Sequence, residues 1–429
     1  MKSDDPAAWL FARTSGGIRW GLERTEELLA GVDHPHRRFR ALHVGGTNGK
    51  GPVSALCESA LRAAQPGRTV GLYTSPHLVS FAERIRVGGR PVDAALLATA
   101  MERLRPAIER TEATFFEAAT ALAFLCFAEA GVDLAVVEVG LGGRLDSTNV
   151  VAPLATAVTN VARDHVEYLG DSLEGIAWEK AGIFKPGVPA VVGESAPGLV
   201  DVLRSRAEEV GAPVVELDRV ARVADVDVSL EGTRFRLDSQ RWGSREVRMP
   251  LVGAHQARNA ALAAELLGAL PDDARPSWEA VEAGFAGVRW AGRMQVLRQR
   301  GGTWIFDVAH NPAGVAALVQ TLDALDLPRP VVLVAAILAD KEWDEMLPPL
   351  LARADAAVLT LAPTAPESRR WDPAHVADSI DTKIPVRVIP ELASALMRAE
   401  TMAPYGTILV TGSVHTVGDA LAEMGIAVP

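Results

Sequence analysis

Cysteine is nearly absent from this chain, which has only Cys57 and Cys126 among its 429 residues. Both lie in apolar segments with helical spacing, which is typical of reduced core residues in a cytosolic protein. The sequence therefore predicts a cytoplasmic protein.

Positive charge is also in short supply, since the net charge is −11. Nonspecific binding to nucleic acid or to an anionic membrane is therefore not expected. No apolar run approaches the length of a membrane span, and residues 1–7 lack the basic-then-apolar pattern of a secretory signal. The sequence predicts no nucleic-acid partner and no membrane partner, so an anionic ligand must be held by local basic residues.

The apolar fraction of 48% and the charged fraction of 23% are ordinary for a soluble globular protein. A chain of this length has more residues than one hydrophobic core usually organises, so we expect two domains. Residues 7–31 have helical spacing in two pieces, interrupted at Gly16-Gly17, with the second piece starting at Ile18.

A glycine-rich segment follows. Residues 41–44 resemble a short buried strand, residues 45–51 a glycine loop, and a helix comes next. Such a loop binds phosphate because its N–H groups and the helix dipole favour an anion, and Lys50 adds a full charge. The strict P-loop pattern would require glycine where Val44 stands and Ser or Thr where Gly51 stands. The alternative is an ordinary glycine-rich turn with a solvated lysine.

A second polar segment, Thr74-Ser-Pro-His-Leu78, follows a predicted strand at residues 69–73. Phe81-x-Glu83-Arg84 comes directly after it. Open α/β sheets bind ligands at the edge where these segments should lie. The alternative is an ordinary polar turn.

Acidic and basic residues then follow further predicted strands. Glu138 ends an otherwise apolar strand, where a carboxylate in a P-loop architecture commonly holds Mg²⁺; the alternative is an ion-paired or capping carboxylate. A second glycine-rich loop at residues 140–149 carries Arg144 and Asp146. Asp164-His165 follow the strand at 155–161, and His165 is interpreted as a metal ligand rather than a structural histidine.

Residues 219–250 read as antiparallel strands, and residues 287–293 as a connector between domains. Beyond it, two strands end in Asp307-Val-Ala-His310, and three more strand–helix pairs follow. We predict an α/β protein in which a P-loop NTPase-like parallel-sheet domain (residues 1–290) precedes a smaller Rossmann-like α/β domain (residues 291–429).

Six segments in this order resemble the folylpolyglutamate synthase/dihydrofolate synthase branch of the Mur ligase superfamily, over essentially the whole chain. They are Gly46-Thr-Asn-Gly-Lys-Gly51, Tyr73 to Leu78 with Phe81-x-Glu83-Arg84, Gly140 to Asp146, Glu179 to Ile183, His255-Gln-x-x-Asn259 and Asp307-x-Ala-His-Asn-Pro312. The resemblance implies an ATP-dependent ligase. Its substrates would be L-glutamate and dihydropteroate or a folate, joined through an acyl phosphate.

The resemblance also implies roles for individual residues. Lys50 and the backbone of Thr47, Asn48, Gly49 and Gly51 would hold the phosphates of ATP. Two Mg²⁺ sites are implied, with Glu138 at the first and His165 at the second, and Lys180 would be carbamylated and bind metal. Asn259 would face adenine, Arg293 the phosphates, Asp307 the ribose, and His310 the γ-phosphate. The substrate wall would be formed by the Gly17 to Trp20 region and by Ser75, Pro76, His77, Arg84, Arg144 and Asp146.

The sequence departs from the family at Pro52, where a serine normally offers its hydroxyl to Mg²⁺. Proline suits the first turn of a helix but supplies no oxygen, so water must fill that position. Smaller departures are Ala291, where proline is usual, and Val414-His415-Thr416.

Two alternatives remain open at this level. A Mur-type peptide ligase is disfavoured by the Thr74 to Leu78 segment and by the lack of a nucleotide-sugar domain before the P-loop. A non-catalytic paralogue that binds pterin or nucleotide is suggested by Pro52. We expect a monomer, and the sequence does not distinguish addition of the first glutamate from extension of the tail.

Overall fold

The computed structural model describes residues 6–11, 17, 19–64, 67–299 and 301–428. Its first helices are α1 (Pro6–Phe11) and α2 (Glu23–Ala30). The prediction that the second helical piece starts at Ile18 is wrong, because residues 19–22 are not helical and Gly21 has a φ of +121°, outside the helical region. Gly16 and Ile18 themselves lie outside the described residues.

The first sheet has the strand order β4-β3-β2-β5-β1-β6-β7-β8. Strands β2, β5, β1, β6, β7 and β8 run parallel, and the β3–β4 hairpin adds antiparallel pairing at one edge. The strands are β1 (Arg40–Gly45), β2 (Val70–Tyr73), β3 (Ile85–Val87), β4 (Arg90–Pro91), β5 (Leu134–Glu138), β6 (Pro153–Val158), β7 (Ala190–Val192) and β8 (Val214–Glu216).

The register of these strands brings their functional ends together. Val44 of β1 pairs with Glu138 of β5, and Gly45 pairs with Val158 of β6. The glycine loop after β1, the acid at the end of β5 and the segment after β6 therefore emerge at one edge of the sheet, where open α/β sheets bind ligands.

Helices cover both faces of this sheet because its strands are apolar on both sides. One face packs against α3 (Lys50–Ala64), α10 (Ala254–Gly268) and α11 (Trp278–Gly287), and the other against α2, α4 (Ala94–Thr111) and α5 (Phe115–Glu129). Thr114 caps α5 in a capping box with Glu117, as its position before the apolar run requires. Further along are α6 (Val166–Leu169), α7 (Leu173–Ala181), α8 (Pro197–Val210) and α9 (Leu217–Val220).

A three-stranded antiparallel sheet of β9 (Ala221–Ser229), β10 (Gly232–Ser239) and β11 (Gly243–Met249) follows, as predicted. Its buried face joins the core around α3 and α10 through Phe235 and Leu237.

The second α/β sheet has the order β12-β13-β17-β14-β15-β16 and is parallel except for β12. Its strands are β12 (Gln295–Gln299), β13 (Gly302–Asp307), β14 (Val331–Ala335), β15 (Ala356–Leu359), β16 (Val386–Val388) and β17 (Thr407–Thr411). Its helices are α12 (Pro312–Asp323), α13 (Trp343–Leu351), α14 (Pro373–Ser379), α15 (Leu392–Met402) and α16 (Val414–Glu423). The predicted fold class, a large parallel-sheet part followed by a smaller α/β part, is confirmed.

None of the helices in the described ranges combines the length and the apolarity that crossing a bilayer requires.

Candidate active site

A cavity of about 490 Å³ lies where the strand ends of the first sheet face the β13–α12 segment of the second. Both sheets contribute to its wall. The predicted residues that line it are Thr47, Asn48, Gly49, Lys50, Gly51, Ser75, Pro76, Glu138, His165, Lys180, Asn259, Arg293, Asp307 and His310. Segments that are far apart in the sequence thus meet around one space large enough for a small-molecule ligand.

The glycine loop is held in a conformation that requires glycine. Gly46 has a φ of +136°, and a Cβ there would lie 1.9 Å from the hydroxyl oxygen of Thr159. At Gly49, with a φ of +82°, a Cβ would lie 2.6 Å from Oδ1 of Asn259. Since α3 begins at Lys50, its free N–H groups and the lysine both face the cavity, which favours an anion there.

Hydrogen bonds from the segment after β6 fix the same loop. Thr47 N–H donates to Asn160 O at 2.9 Å, and Asn48 N–H donates to Asn160 Oδ1 at 2.9 Å. The hydroxyl of Thr159 donates to Asn48 O at 2.7 Å. Lys50 Nζ donates to Thr47 O at 3.0 Å, so the lysine side chain lies across the loop. The loop conformation is therefore set by protein contacts.

Glu138 is a buried carboxylate at the cavity wall, 4% exposed. Its Oε2 accepts the Ser75 N–H at 3.2 Å. Burial raises the pKa of Glu138 to about 6, against the opposing influence of Lys50 and of the Ser75 N–H. A cation at the free side of this carboxylate would offset the cost of burying its charge.

The donor set suits Mg²⁺ better than a metal that needs a complete protein cage. Among the described residues, no three His, Cys, Asp or Glu side chains form a metal-binding group. Glu138 would supply one oxygen to such an ion, and ligand oxygens and water would complete the shell, as is common for Mg²⁺. Pro52 lines the cavity as the third residue of α3 and offers no oxygen.

Lys180 is almost fully buried, and its Nζ donates to Gly46 O at 2.9 Å. Burial, with the nearby charge of Lys50, lowers the pKa of Lys180 to about 7. His165 adopts a φ of +52° just after β6, and its side chain is 41% exposed. Both line the cavity, on the side of the first sheet.

A cluster centred on Asp164 joins the two sheets across the cavity. Asp164 Oδ1 accepts Lys341 Nζ at 2.7 Å, while its Oδ2 lies 3.3 Å from His310 Nε2 and 3.1 Å from Asn311 Nδ2. Burial alone would raise the pKa of Asp164, but the hydrogen bond and charge of His310, with His165 and Lys341, hold it well below its usual range. Lys341 was not among the predicted site residues. The sequence feature that could have indicated it is its position shortly after a predicted parallel strand.

Arg293 and Asp307 form the part of the wall next to the connector. Asp307 accepts the N–H groups of Met294 at 2.8 Å and Ala309 at 2.9 Å, so it also shapes the turn into β12. Burial raises the pKa of Asp307 and lowers that of Arg293, while their mutual attraction opposes both shifts. We regard the pair as charged, because each ion faces its counter-ion.

The amide of Asn259 faces the glycine loop from α10. Its Nδ2 donates to Gln256 Oε1 at 3.0 Å, and Gln256 Nε2 in turn lies 3.0 Å from His255 Nε2. This row of polar side chains forms the cavity wall beside Gly49.

The Thr74 to Leu78 segment divides between two spaces. Ser75 and Pro76 line the large cavity, whereas His77 lines a neighbouring space of about 40 Å³. Nδ1 of His77 accepts Arg84 Nε at 2.7 Å, and the guanidinium of Arg84 lies over the ring of Phe115. Burial and the charge of Arg84 lower the pKa of His77 to about 3, so the imidazole is neutral.

The remaining predicted substrate residues do not line the cavity. Arg144 pairs with Glu179 at 2.8 Å and lies over the ring of Trp178. Asp146 is buried, and its oxygens accept the N–H groups of Leu141 at 2.8 Å and Thr148 at 3.0 Å. Gly17 and Trp20 lie away from the cavity wall, and Ile18 lies outside the described residues.

Two family models match the chain: the Mur ligase middle domain over residues 44–267 and the glutamate ligase domain of Mur ligases over residues 292–414. A Bacillus subtilis dihydrofolate synthase/folylpolyglutamate synthase is 34% identical, with 97% of each chain covered. A Mycobacterium tuberculosis protein of the same name is 33% identical, covering 94% of this chain and 90% of that one.

Solved structures give the same result. Mycobacterium tuberculosis folylpolyglutamate synthase complexed with ADP aligns with a TM-score of 0.89 at 32% identity, covering 99% of this chain and 100% of that one. Escherichia coli FolC in complex with DHPP and ADP aligns with a TM-score of 0.86 at 31% identity, covering 98% and 97%. The chain belongs to the Mur ligase superfamily and, within it, to the dihydrofolate synthase/folylpolyglutamate synthase family.

Proposed function

We propose that this chain is an ATP-dependent ligase that joins L-glutamate to dihydropteroate, to reduced folates, or to both. The observation that carries the proposal is the cavity shared by the two sheets, in which the Lys50 loop and Glu138 face Arg293 and His310. Relatives that cover nearly the whole chain are named for this chemistry. They also favour this reading over the Mur-type peptide ligase.

The reaction needs a phosphoryl group to pass between two anions. The γ-phosphoryl of ATP is transferred to a carboxylate oxygen of the pterin substrate, giving ADP and an acyl phosphate. The amine of glutamate then attacks the acyl carbon, and phosphate leaves as the amide forms. Positioning and charge neutralisation dominate such chemistry, which is what Lys50, Arg293 and His310 would supply around the phosphates.

We assign the nucleotide to the loop of Thr47, Asn48, Gly49, Lys50 and Gly51, with Asn259 at adenine and Asp307 at ribose. The adjacent wall of Ser75 and Pro76 would receive the pterin-linked carboxylate. His77 and Arg84 would support that wall from behind, since His77 lines the smaller space and Arg84 donates a hydrogen bond to His77. Arg144 and Asp146 remain predictions for substrate binding, although both have protein partners here.

Two Mg²⁺ sites are part of the proposal. Glu138 would hold the first, and His165 with carbamylated Lys180 the second; bound metal would neutralise charge that develops on the phosphates. Burial supports the carbamate, because a buried lysine deprotonates readily and a neutral amine is the form that adds CO₂. An unmodified ammonium there would repel a cation.

The division into residues 1–290 and 291–429, a monomeric state and a cytoplasmic location complete the proposal. The buried free thiols of Cys57 and Cys126 suit a reducing compartment. Analytical ultracentrifugation tests the monomer, and cell fractionation tests the location.

The decisive experiment measures ADP release by the purified protein with ATP and Mg²⁺. Release that requires both dihydropteroate and glutamate, with dihydrofolate identified by mass, is the expected result. Replacing dihydropteroate with tetrahydrofolate then shows whether the chain also extends the tail. ADP release that is independent of glutamate would reject the ligase, and no turnover with either pterin would favour the non-catalytic alternative.

A further inference from the structure

A buried carboxylate connects the chain segments that follow β6 and β7. Glu194 comes shortly after β7, is 9% exposed and lines the cavity. Its Oε2 accepts the N–H of Val161, from the segment after β6, at 2.6 Å. Its Oε1 accepts the N–H groups of Ser195 at 2.8 Å and Ala196 at 2.9 Å. We call this arrangement the carboxylate bridge, because one side chain joins two segments of the cavity wall.

The carboxylate bridge lies just beyond the end of the strand pairing. The ladder between β6 and β7 ends with Val158 opposite Val192. Residues 159–162 are therefore outside that ladder, where a strand carbonyl would otherwise accept an N–H group. The Glu194 carboxylate supplies the missing acceptor.

The segment at residues 159–162 also holds the glycine loop in place. The Thr47 hydroxyl donates to Ala162 O at 3.1 Å and accepts the Ala162 N–H at 3.0 Å. Asn160 accepts two backbone N–H groups of the loop, each at 2.9 Å. Because Val161 lies between these two anchor residues, the carboxylate bridge holds the segment at its centre.

The chemistry of the bridge requires a carboxylate at this position. Both oxygens of Glu194 accept, and they accept from different segments. A glutamine would have one acceptor oxygen, and its NH₂ group would face N–H donors on the other side. A buried charge is costly unless it is hydrogen-bonded, and here three N–H groups compensate for that cost.

We propose that Glu194 is a positioning residue for ATP, which holds residues 159–162 where the glycine loop requires them. The proposal rests on the proposed function, specifically on the assignment of the ATP phosphates to the Lys50 loop. Glu194 acts through Val161 rather than by touching the nucleotide, because both of its oxygens are turned to the backbone. Loss of the bridge therefore weakens nucleotide binding and leaves the KM for L-glutamate unchanged.

Glu194→Gln tests the bridge, with ADP and Mg²⁺ as the probe in a calorimetric titration that does not need turnover. We expect the Kd for ADP and the KM for ATP to rise about tenfold, the scale of one lost hydrogen bond to a charged group. Glu265→Gln is the matched control, since Glu265 is 4% exposed, accepts the Ser239 hydroxyl at 2.6 Å and is not part of the cavity wall. An unchanged Kd in Glu194→Gln, or an equal rise in both variants, would overturn the proposal.

Amide hydrogen exchange in the ligand-free protein separates positioning from direct contact. The Val161 N–H should exchange faster in Glu194→Gln than in the parent, and the Thr47 N–H of the loop should follow it. Weaker ADP binding with unchanged exchange at both amides would mean that Glu194 touches the nucleotide, and would reject the positioning role.

A second variant covers the case in which Glu194→Gln does not fold. Glu194→Asp keeps the charge but is one methylene shorter, so it cannot span the two segments and should show the same changes. In the parent itself, the Val161 N–H should exchange as slowly as the amides of β6, and fast exchange there would contradict the bridge whatever the variants do.

The ADP titration also distinguishes failure of this proposal from failure of the proposed function. A parent protein that binds ADP but forms no amide bond rejects the ligase and leaves the role of Glu194 standing. A parent that does not bind ADP rejects the assignment of the nucleotide to the Lys50 loop, and the role of Glu194 with it.

Discussion

The carboxylate of Asp164 and the ammonium of Lys341 meet at 2.7 Å, joining the segment after β6 of the first sheet to the segment after β14 of the second. Their side chains are only 8% and 10% exposed. Because His310 and Asn311 share the same carboxylate, this ion pair belongs to a network that connects the two halves of the cavity.

Lys341→Met should lower the free energy of unfolding by about 2–4 kcal/mol, because it leaves a nearly buried carboxylate without the ammonium that it contacts at 2.7 Å. Urea denaturation measures the loss. Arg353→Met is the matched control: it removes a pair with Asp323 that is 36% and 50% exposed, and should cost at most about 1 kcal/mol. Equal losses in the two variants would show that Lys341 contributes no more than a surface charge.

Lys180→Ala should reduce kcat on the order of a hundredfold, and added bicarbonate should not restore it, because the carbamate cannot form. The parent protein labelled with ¹³C-bicarbonate should give a carbamate signal that disappears in the variant. Lys383→Ala, which changes an exposed lysine, should leave both the signal and the rate unaltered. A fully active protein without the signal would contradict carbamylation.

Pro52→Ser should lower the Mg²⁺ concentration for half-maximal activity by about tenfold, because a hydroxyl would replace a water among the metal ligands at a gain of about 1–2 kcal/mol. The fold should not change, since Pro52 occupies the first turn of α3, where its missing N–H has no helical partner. A Mg²⁺ titration compares the proteins, and Pro52→Ala separates loss of the ring from gain of the oxygen. Identical titrations for serine and alanine would show that the hydroxyl does not reach the metal.

Arg293→Ala should raise the KM for ATP by roughly ten- to a hundredfold, the scale of one lost charge-assisted contact.

ATP should draw the two sheets together through Arg293 and the Asp307–His310 segment. Small-angle scattering should therefore show a smaller radius of gyration with the nucleotide bound. Arg289→Ala removes an exposed arginine from the same connector and serves as the control. The prediction that ATP closes the two parts of the chain about the connector fails if the KM and the scattering profile are both unchanged.

His43 should contribute to the acid sensitivity of the fold. Burial, followed by the charge of Lys185, lowers the pKa of His43 from 6.5 to about 3. Between these values the unfolded chain binds the proton and the folded chain does not, so stability is lost as the pH falls below 6.5. From about pH 7 to pH 5, the parent should lose about 2 kcal/mol more than His43→Gln, as measured by urea denaturation. Parallel pH profiles would contradict this.

Several features of the site could be predicted because they depend on local sequence. The strand–glycine–helix order places Lys50 at a helix N-terminus, and Glu138 interrupts an apolar strand, so both could be located without tertiary information. The cavity wall includes these residues together with Arg293, Asp307 and His310. The predicted start of the second helical piece at Ile18 is wrong, because hydrophobic periodicity does not reveal that Gly21 takes a non-helical φ.

The order of elements and the chemistry at each strand end follow from the sequence alone, because hydrophobic period and turn residues act over a few positions. Which side chains of those segments face one another depends on how the chain packs in three dimensions. In the folded chain Arg144 forms an ion pair with Glu179, and Asp146 accepts the Leu141 N–H. Lys341 forms an ion pair with Asp164. Pairings between residues so distant in the chain depend on sheet register and on the packing of two sheets, which no local pattern encodes.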